Sequence, residues 1–90
     1  MANSLNANLH GKYVVLKDTI YRGTDIERVF LCRGCNGCNR ETFGRSISGE
    51  FVFDGEDTVI DGYAVSRFAT GTEIAEAKKI RQTKGLGVLL

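Results

Sequence analysis

The chain has 90 residues, 12 basic and 11 acidic, for a net charge of +1. That length allows one domain. The charge balance excludes a protein that coats extended nucleic acid by neutralising phosphates, which needs a clear basic excess, and no apolar run reaches the roughly 18 residues of a membrane-spanning helix. A chain this short buries only roughly 60–65% of its unfolded surface, so metal binding or self-association is the expected supplement to a small core. The opening MANSLNANLH has no basic stretch followed by an apolar one, so no secretory leader is expected. The expected compartment is the cytoplasm, with its thiols reduced.

Residues 1–11 are read as a flexible polar arm and 12–90 as a single domain. Tyr13-Val14-Val15-Leu16-Lys17 is rich in β-branched and aromatic residues and predicts a strand. Ile20-Tyr21-Arg22 continues it or begins its partner, and Gly23-Thr24-Asp25 predicts a turn. Ile26 to Arg33 alternates, with Ile26, Arg28, Phe30 and Cys32 on one face and Glu27, Val29, Leu31 and Arg33 on the other. Phe30 and Leu31 then lie on opposite faces, so both faces are at least partly covered. Gly34 to Thr42 reads as loop, and Phe43 to Phe53 as a strand with Ile47, Phe51 and Phe53 on one face. Gly49, on that same face, marks a bulge or a close backbone approach. Asp54-Gly55-Glu56-Asp57 is a hairpin turn signal. Thr58-Val59-Ile60 returns, Asp61-Gly62 turns again, and Tyr63 to Phe68 is the last strand.

Thr70 and Glu73 have capping-box spacing, and a helix follows at about 71–84. Its apolar positions, Ile74, Ala77 and Ile80, are few, so it docks lightly. Lys78, Lys79, Arg81 and Lys84 suit its C-terminal end, and Gly85 stops it. Leu86-Gly87-Val88-Leu89-Leu90 is apolar and either packs back on the sheet or meets another subunit. The expected fold is therefore mainly β (α+β): a small antiparallel meander or barrel-like sheet of about five strands with one C-terminal helix.

Cys32, Cys35 and Cys38 form C-x-x-C-x-x-C. Two-residue spacing lets thiolates converge on one zinc ion, but a structural site needs four ligands. The fourth would be His10 or a carboxylate. Three such ligands are also part of an iron–sulfur run. Against these stand a Cys32 buried as a small hydrophobe with Cys35 and Cys38 as loop thiols, and a Cys35–Cys38 redox pair. The iron–sulfur run also lacks its fourth cysteine; the readings stay open, and the expectation is no cofactor, with zinc as the possible exception.

Residues 33–49 read RGCNGCNRETFGRSISG. Glycines, here Gly34, Gly37, Gly44 and Gly49, let backbone N–H groups approach a phosphate. Arg33, Arg40 and Arg45 offer guanidinium groups that bind phosphate bidentately. Asn36 and Asn39 offer donors and acceptors to a base or ribose, and Phe43 a stacking face. The inventory fits a small anionic nucleotide-like ligand, although no stereotyped phosphate-binding motif is present. The acidic residues Glu50, Asp54, Glu56 and Asp57 gather at an expected hairpin tip, an exposed place, whereas paired carboxylates need partial burial for acid–base work. No nucleophile–base pair stands out, and the chain is expected not to be an enzyme.

Arg28-Val29-Phe30-Leu31-Cys32, a glycine-rich loop ending in Cys38, Phe43-Gly44-Arg45, Gly49-Glu50-Phe51, Asp54-Gly55-Glu56 and Tyr63-Ala64-Val65-Ser66-Arg67 carry a likeness. Over residues 12–69 the chain resembles small proteins of phages and mobile elements, among them the Thoeris anti-defence sponge family. That resemblance implies a small, β-rich, non-catalytic homo-oligomer in the host cytoplasm. It also implies sequestration of a cyclic ADP-ribose signal in pockets at subunit edges, with the apolar C-terminus as a natural contact. Two other functions are kept beside it: a zinc-stabilised module that binds protein or nucleic acid, and a protein inhibitor of a host defence enzyme.

Overall fold

The computed structural model describes residues 11–35, 41–49 and 58–87. Five strands form one antiparallel sheet: β1 (Tyr13–Leu16), β2 (Val29–Cys35), β3 (Glu41–Ser46), β4 (Thr58–Asp61) and β5 (Val65–Phe68). A 3₁₀ turn (Gly62–Ala64) joins β4 to β5, and one helix, α1 (Gly71–Lys84), follows. The strand order is β4-β3-β2-β1-β5. β4 and β5 therefore stand at opposite ends of the order while adjoining in the chain. Fully extended, the link from Asp61 to Val65 reaches about 14 Å, against about 19 Å for four steps across a flat sheet. The sheet must curl, and the result is a half-barrel with an inside and an outside.

Side chains alternate between those two faces. Val14, Leu16, Phe30, Cys32, Ile60 and Val65 fill the inside, with Tyr21 packed against them. Val15, Val29 and Ile47 face outward, where Ala77 of α1 covers them together with Tyr13, Ile26, Leu31 and Ala69. Burying both faces explains why Phe30 and Leu31, neighbours in sequence, are each withdrawn from water in different clusters. At Gly44 the two strands leave no room for a side chain: a Cβ there would lie 1.8 Å from the Leu31 carbonyl oxygen and 2.9 Å from the Phe30 ring.

The helix begins at the expected capping box. Thr70 Oγ1 accepts from the Glu73 N–H at 3.2 Å, and Glu73 Oε1 accepts from the Thr70 N–H at 2.9 Å. Its buried residues are Ala77 and Arg81. Arg81, expected to suit the helix C-terminus by its charge, is also buried. Its guanidinium donates to three main-chain carbonyls: Gly87 at 2.9 Å, Leu86 at 3.2 Å and Ile47 at 3.3 Å. One side chain thus ties the helix to the chain after it and to the end of β3.

Several boundaries differ from the sequence reading. Ile20-Tyr21-Arg22 is neither a continuation of β1 nor a partner strand. Both the Ile20 and Tyr21 N–H groups bond back to the Lys17 carbonyl, closing a turn. Residues 25–28 are a second turn, so β2 starts at Val29 instead of Ile26. The cause is a capping box, Thr24 with Glu27: the Thr24 N–H donates to Glu27 Oε1 at 2.8 Å, and the Glu27 N–H to Thr24 Oγ1 at 3.2 Å. The turn rotates Ile26 onto the Val29 face, away from Phe30. Arg28 completes it from a buried position, donating through Nε to Leu16 O at 2.8 Å, through Nη1 to Gly23 O and through Nη2 to Asp25 Oδ1 at 2.5 Å.

β2 and β3 extend into the expected 34–42 loop, to Cys35 and from Glu41. At its other end β3 stops at Ser46. Residues 47–48 bend and Gly49 takes a φ of 68°, so the single strand expected over 43–53 is broken. The last strand begins at Val65 instead of Tyr63, because 62–64 form the 3₁₀ turn. Gly11, assigned to the arm, donates its N–H to Cys32 O at 2.7 Å.

Candidate functional site

The cation- and aromatic-bearing residues expected to form a site fall on β2 and β3. Register places them: Leu31 pairs with Arg45, Cys32 with Gly44 and Gly34 with Phe43, with an irregular step between Cys32 and Gly34. Arg33 occupies that step, level with the space between Gly44 and Phe43. The inside of β3 is Gly44 and Ser46, so Phe43 and Arg45, two apart, share the outer face with Ile47. Phe43 is 37% exposed, while Arg33 and Arg45 are half-buried. Val59, directly opposite Phe43 on β4, is 59% exposed. Asn36, Asn39 and Arg40 lie outside the described residues, as do Cys38, His10 and the acidic stretch 50–57.

The outer face carries a row across three strands. Tyr13 pairs with Leu31, and Leu31 with Arg45. The helix crosses this row with its basic half. The Lys78 ammonium lies 5.2 Å from the Tyr13 ring centroid. At the other end, Arg45 sits near enough to Arg81 for like-charge repulsion to add to burial, and both lower the Arg81 pKa. One flank of α1 also borders an open groove of about 850 Å³, lined by Lys78, Lys79, Arg81 and Gln82 and by Gly85 and Gly87. That volume is within the range of small-molecule sites. The outer face of β3 thus presents the Phe43 ring and the Arg45 guanidinium, with Arg45 close to Arg81 of α1, which is chemistry for holding an anion with a flat ring system.

Gly44 has a different task from the one expected of it. It is buried, and the space of its missing side chain is taken by the Leu31 carbonyl; its glycine serves strand approach and not phosphate approach. Cys32, a proposed zinc ligand, is fully buried inside the half-barrel beside Phe30 and Leu16. Among the described residues no three His, Cys, Asp or Glu side chains are gathered as a metal site would need.

Two features went unread in the sequence. The Thr24–Glu27 capping box has the same T-x-x-E spacing as Thr70–Glu73, and that signal was available. The other is a chain of ion pairs. Arg67 meets Glu73 at 2.8 and 2.7 Å and Asp25 at 3.3 Å, and Asp25 in turn meets Arg28. It joins residues 42 apart, a distance that no local pattern reports. Among the described residues, no helix is long and apolar enough to cross a membrane. No protein-family model, curated protein or solved structure matches the chain.

Proposed function

We propose that this chain is a non-enzymatic binding protein of phage type that sequesters a small nucleotide-like signalling anion, acting as a homo-oligomeric anti-defence sponge. The observation that carries the reading is the Phe43–Arg45 pair on the outer face of β3, next to the basic half of α1. In this reading Phe43 stacks on a base, Arg45 and Arg33 meet phosphate oxygens, and Lys78 and Lys79 add positive potential from the groove. A glycine-lined cradle contributes less than the sequence implies, since Gly44 is occupied structurally.

Titration calorimetry against cyclic ADP-ribose isomers and cyclic oligonucleotides tests the reading. A saturable exothermic isotherm with at least one of them is expected, weakened at least about tenfold by Phe43→Ala or Arg45→Ala. Flat isotherms across the panel contradict it. Native mass spectrometry reports whether copies associate.

A further inference from the structure

The outer face of the sheet is covered by a helix that brings little apolar surface to the task. Val15 pairs with Val29, and the Ile47 N–H donates to Val29 O at 3.1 Å, so the three side chains lie in one strip. All three are withdrawn from water, and Ala77 packs on them. α1 has 14 residues and is about 21 Å long. Ala77 is nevertheless the one apolar residue it buries fully, with Ile74 and Ile80 half-buried. A buried methyl group contributes little to docking, and a helix of this length is marginal by itself in water. Its two ends are held unequally. At the N-terminal end the Ala69 N–H donates to Tyr13 O at 2.9 Å, and Arg67 on β5 grips Glu73 with bonds of 2.8 and 2.7 Å. Toward the C-terminal end Arg81 reaches Ile47 O with a bond of 3.3 Å, longer than usual. Its bonds to Leu86 and Gly87 join the helix to its own continuation and not to the sheet. Lys78 adds its contact with the Tyr13 ring from an exposed position, where such a contact is weak. Arg45 stands close to Arg81 as a like charge and opposes the docking.

We propose that α1 is a hinged cover: its C-terminal half swings off the sheet about the Arg67–Glu73 clip, before the sheet unfolds, and bares the strip Val15–Val29–Ile47. Elements with few buried apolar contacts open first and as units, and here the opening has a direction. The clip at Glu73 stays closed, because Arg67 and Glu73 lie at the hinge. The far end gives up one long hydrogen bond and, as Arg81 moves away from Arg45, is relieved of a repulsion. Opening therefore changes two things at once. It exposes an apolar strip that the closed form hides, and it withdraws one guanidinium from beside another. The inference rests on how α1 is packed and not on the nucleotide reading.

The test is native-state hydrogen exchange of the isotope-labelled full chain without ligand, followed by NMR. The sheet is represented by the amides of Leu16 and Cys32, which donate to Arg28 O at 3.0 Å and Lys12 O at 2.9 Å. Protection at residues 78–84 is expected to be at least about tenfold lower than at those two amides. Arg45→Gln removes the repulsion and should raise the protection of 78–84, relative to the sheet, at least about twofold. Arg81→Lys keeps the charge and loses the guanidinium's reach, so it should lower that ratio. Fraying of the helix end alone would not respond to Arg45, a residue of β3. The ratio of helix to sheet protection is the readout, so a variant that merely weakens the whole fold leaves it unchanged. Equal protection of 78–84 and the sheet, or a ratio that Arg45→Gln leaves unchanged or lowers, overturns the proposal.

Discussion

The carbonyl oxygen of Leu31 occupies the place where Gly44 would carry a side chain: an ideal Cβ on Gly44 would lie 1.8 Å from it. Position 44 must be glycine for β2 and β3 to hold the register that aligns Leu31 with Arg45. Gly44→Ala forces the strands apart or breaks the pairing, since the obstruction is backbone and cannot rotate away. A loss of about 3 kcal/mol or more is expected, read as a lower midpoint in urea denaturation. A wild-type midpoint would show that the strands do not approach this closely.

Glu73 closes the helix capping box and accepts two hydrogen bonds from Arg67, chiefly the latter pulling its pKa down from 4.5 to about 2. A carboxylate with a depressed folded-state pKa stabilises the protein above its unfolded pKa. That contribution is lost as pH falls through the folded value. In the window from 4.5 to about 2 the unfolded chain binds more protons, so stability should rise with pH there. Glu73→Gln keeps a capping-box acceptor and removes the ion pair, costing about 0.5–1 kcal/mol at neutral pH. Thermal melts across that window should show a flatter pH dependence for the variant; an unchanged slope would contradict the assignment.

The Ser46 hydroxyl is buried at the inner face and has no hydrogen-bond partner among the described residues. An orphaned hydroxyl carries its desolvation cost without return. Ser46→Ala is expected to be neutral or to stabilise by about 0.5–1 kcal/mol, as measured by chemical denaturation. A clear destabilisation would mean that the hydroxyl has a partner.

Cys32 is fully buried among apolar side chains. In a Cys35→Ser/Cys38→Ser variant it is the last thiol. It should resist a colourimetric thiol reagent until denaturant is added. Rapid labelling of the native variant would place Cys32 at the surface instead.

The β-rich character, the strand count and the helix from Gly71 to Lys84 were legible because each rests on local signals: alternation in Val14 to Leu16 and Val29 to Cys32, and the Thr70–Glu73 box. Element ends were less legible. Ile26 to Arg28 alternates with Phe30 like a strand, but the Thr24–Glu27 box and the buried Arg28 guanidinium close a turn there, and tertiary hydrogen bonds outweigh pattern. Arg81 is a basic residue near a helix C-terminus, which the sequence explains by charge alone. Only the fold shows that it serves the Ile47, Leu86 and Gly87 carbonyls. Of the expected site, the pairing of Phe43 with Arg45 follows from strand period alone. The nearness of Arg45 to Arg81 of α1 depends on where the helix lies, which no local pattern encodes.

The central claim is that an anion with a stacking ring binds over Phe43 and Arg45. Backbone NMR of the labelled protein, titrated with the nucleotide panel, tests it most directly. Saturable shifts concentrated at Phe43, Arg45 and the last two turns of α1 are predicted. A spectrum that stays unchanged at saturating nucleotide, or shifts gathered elsewhere, would contradict it.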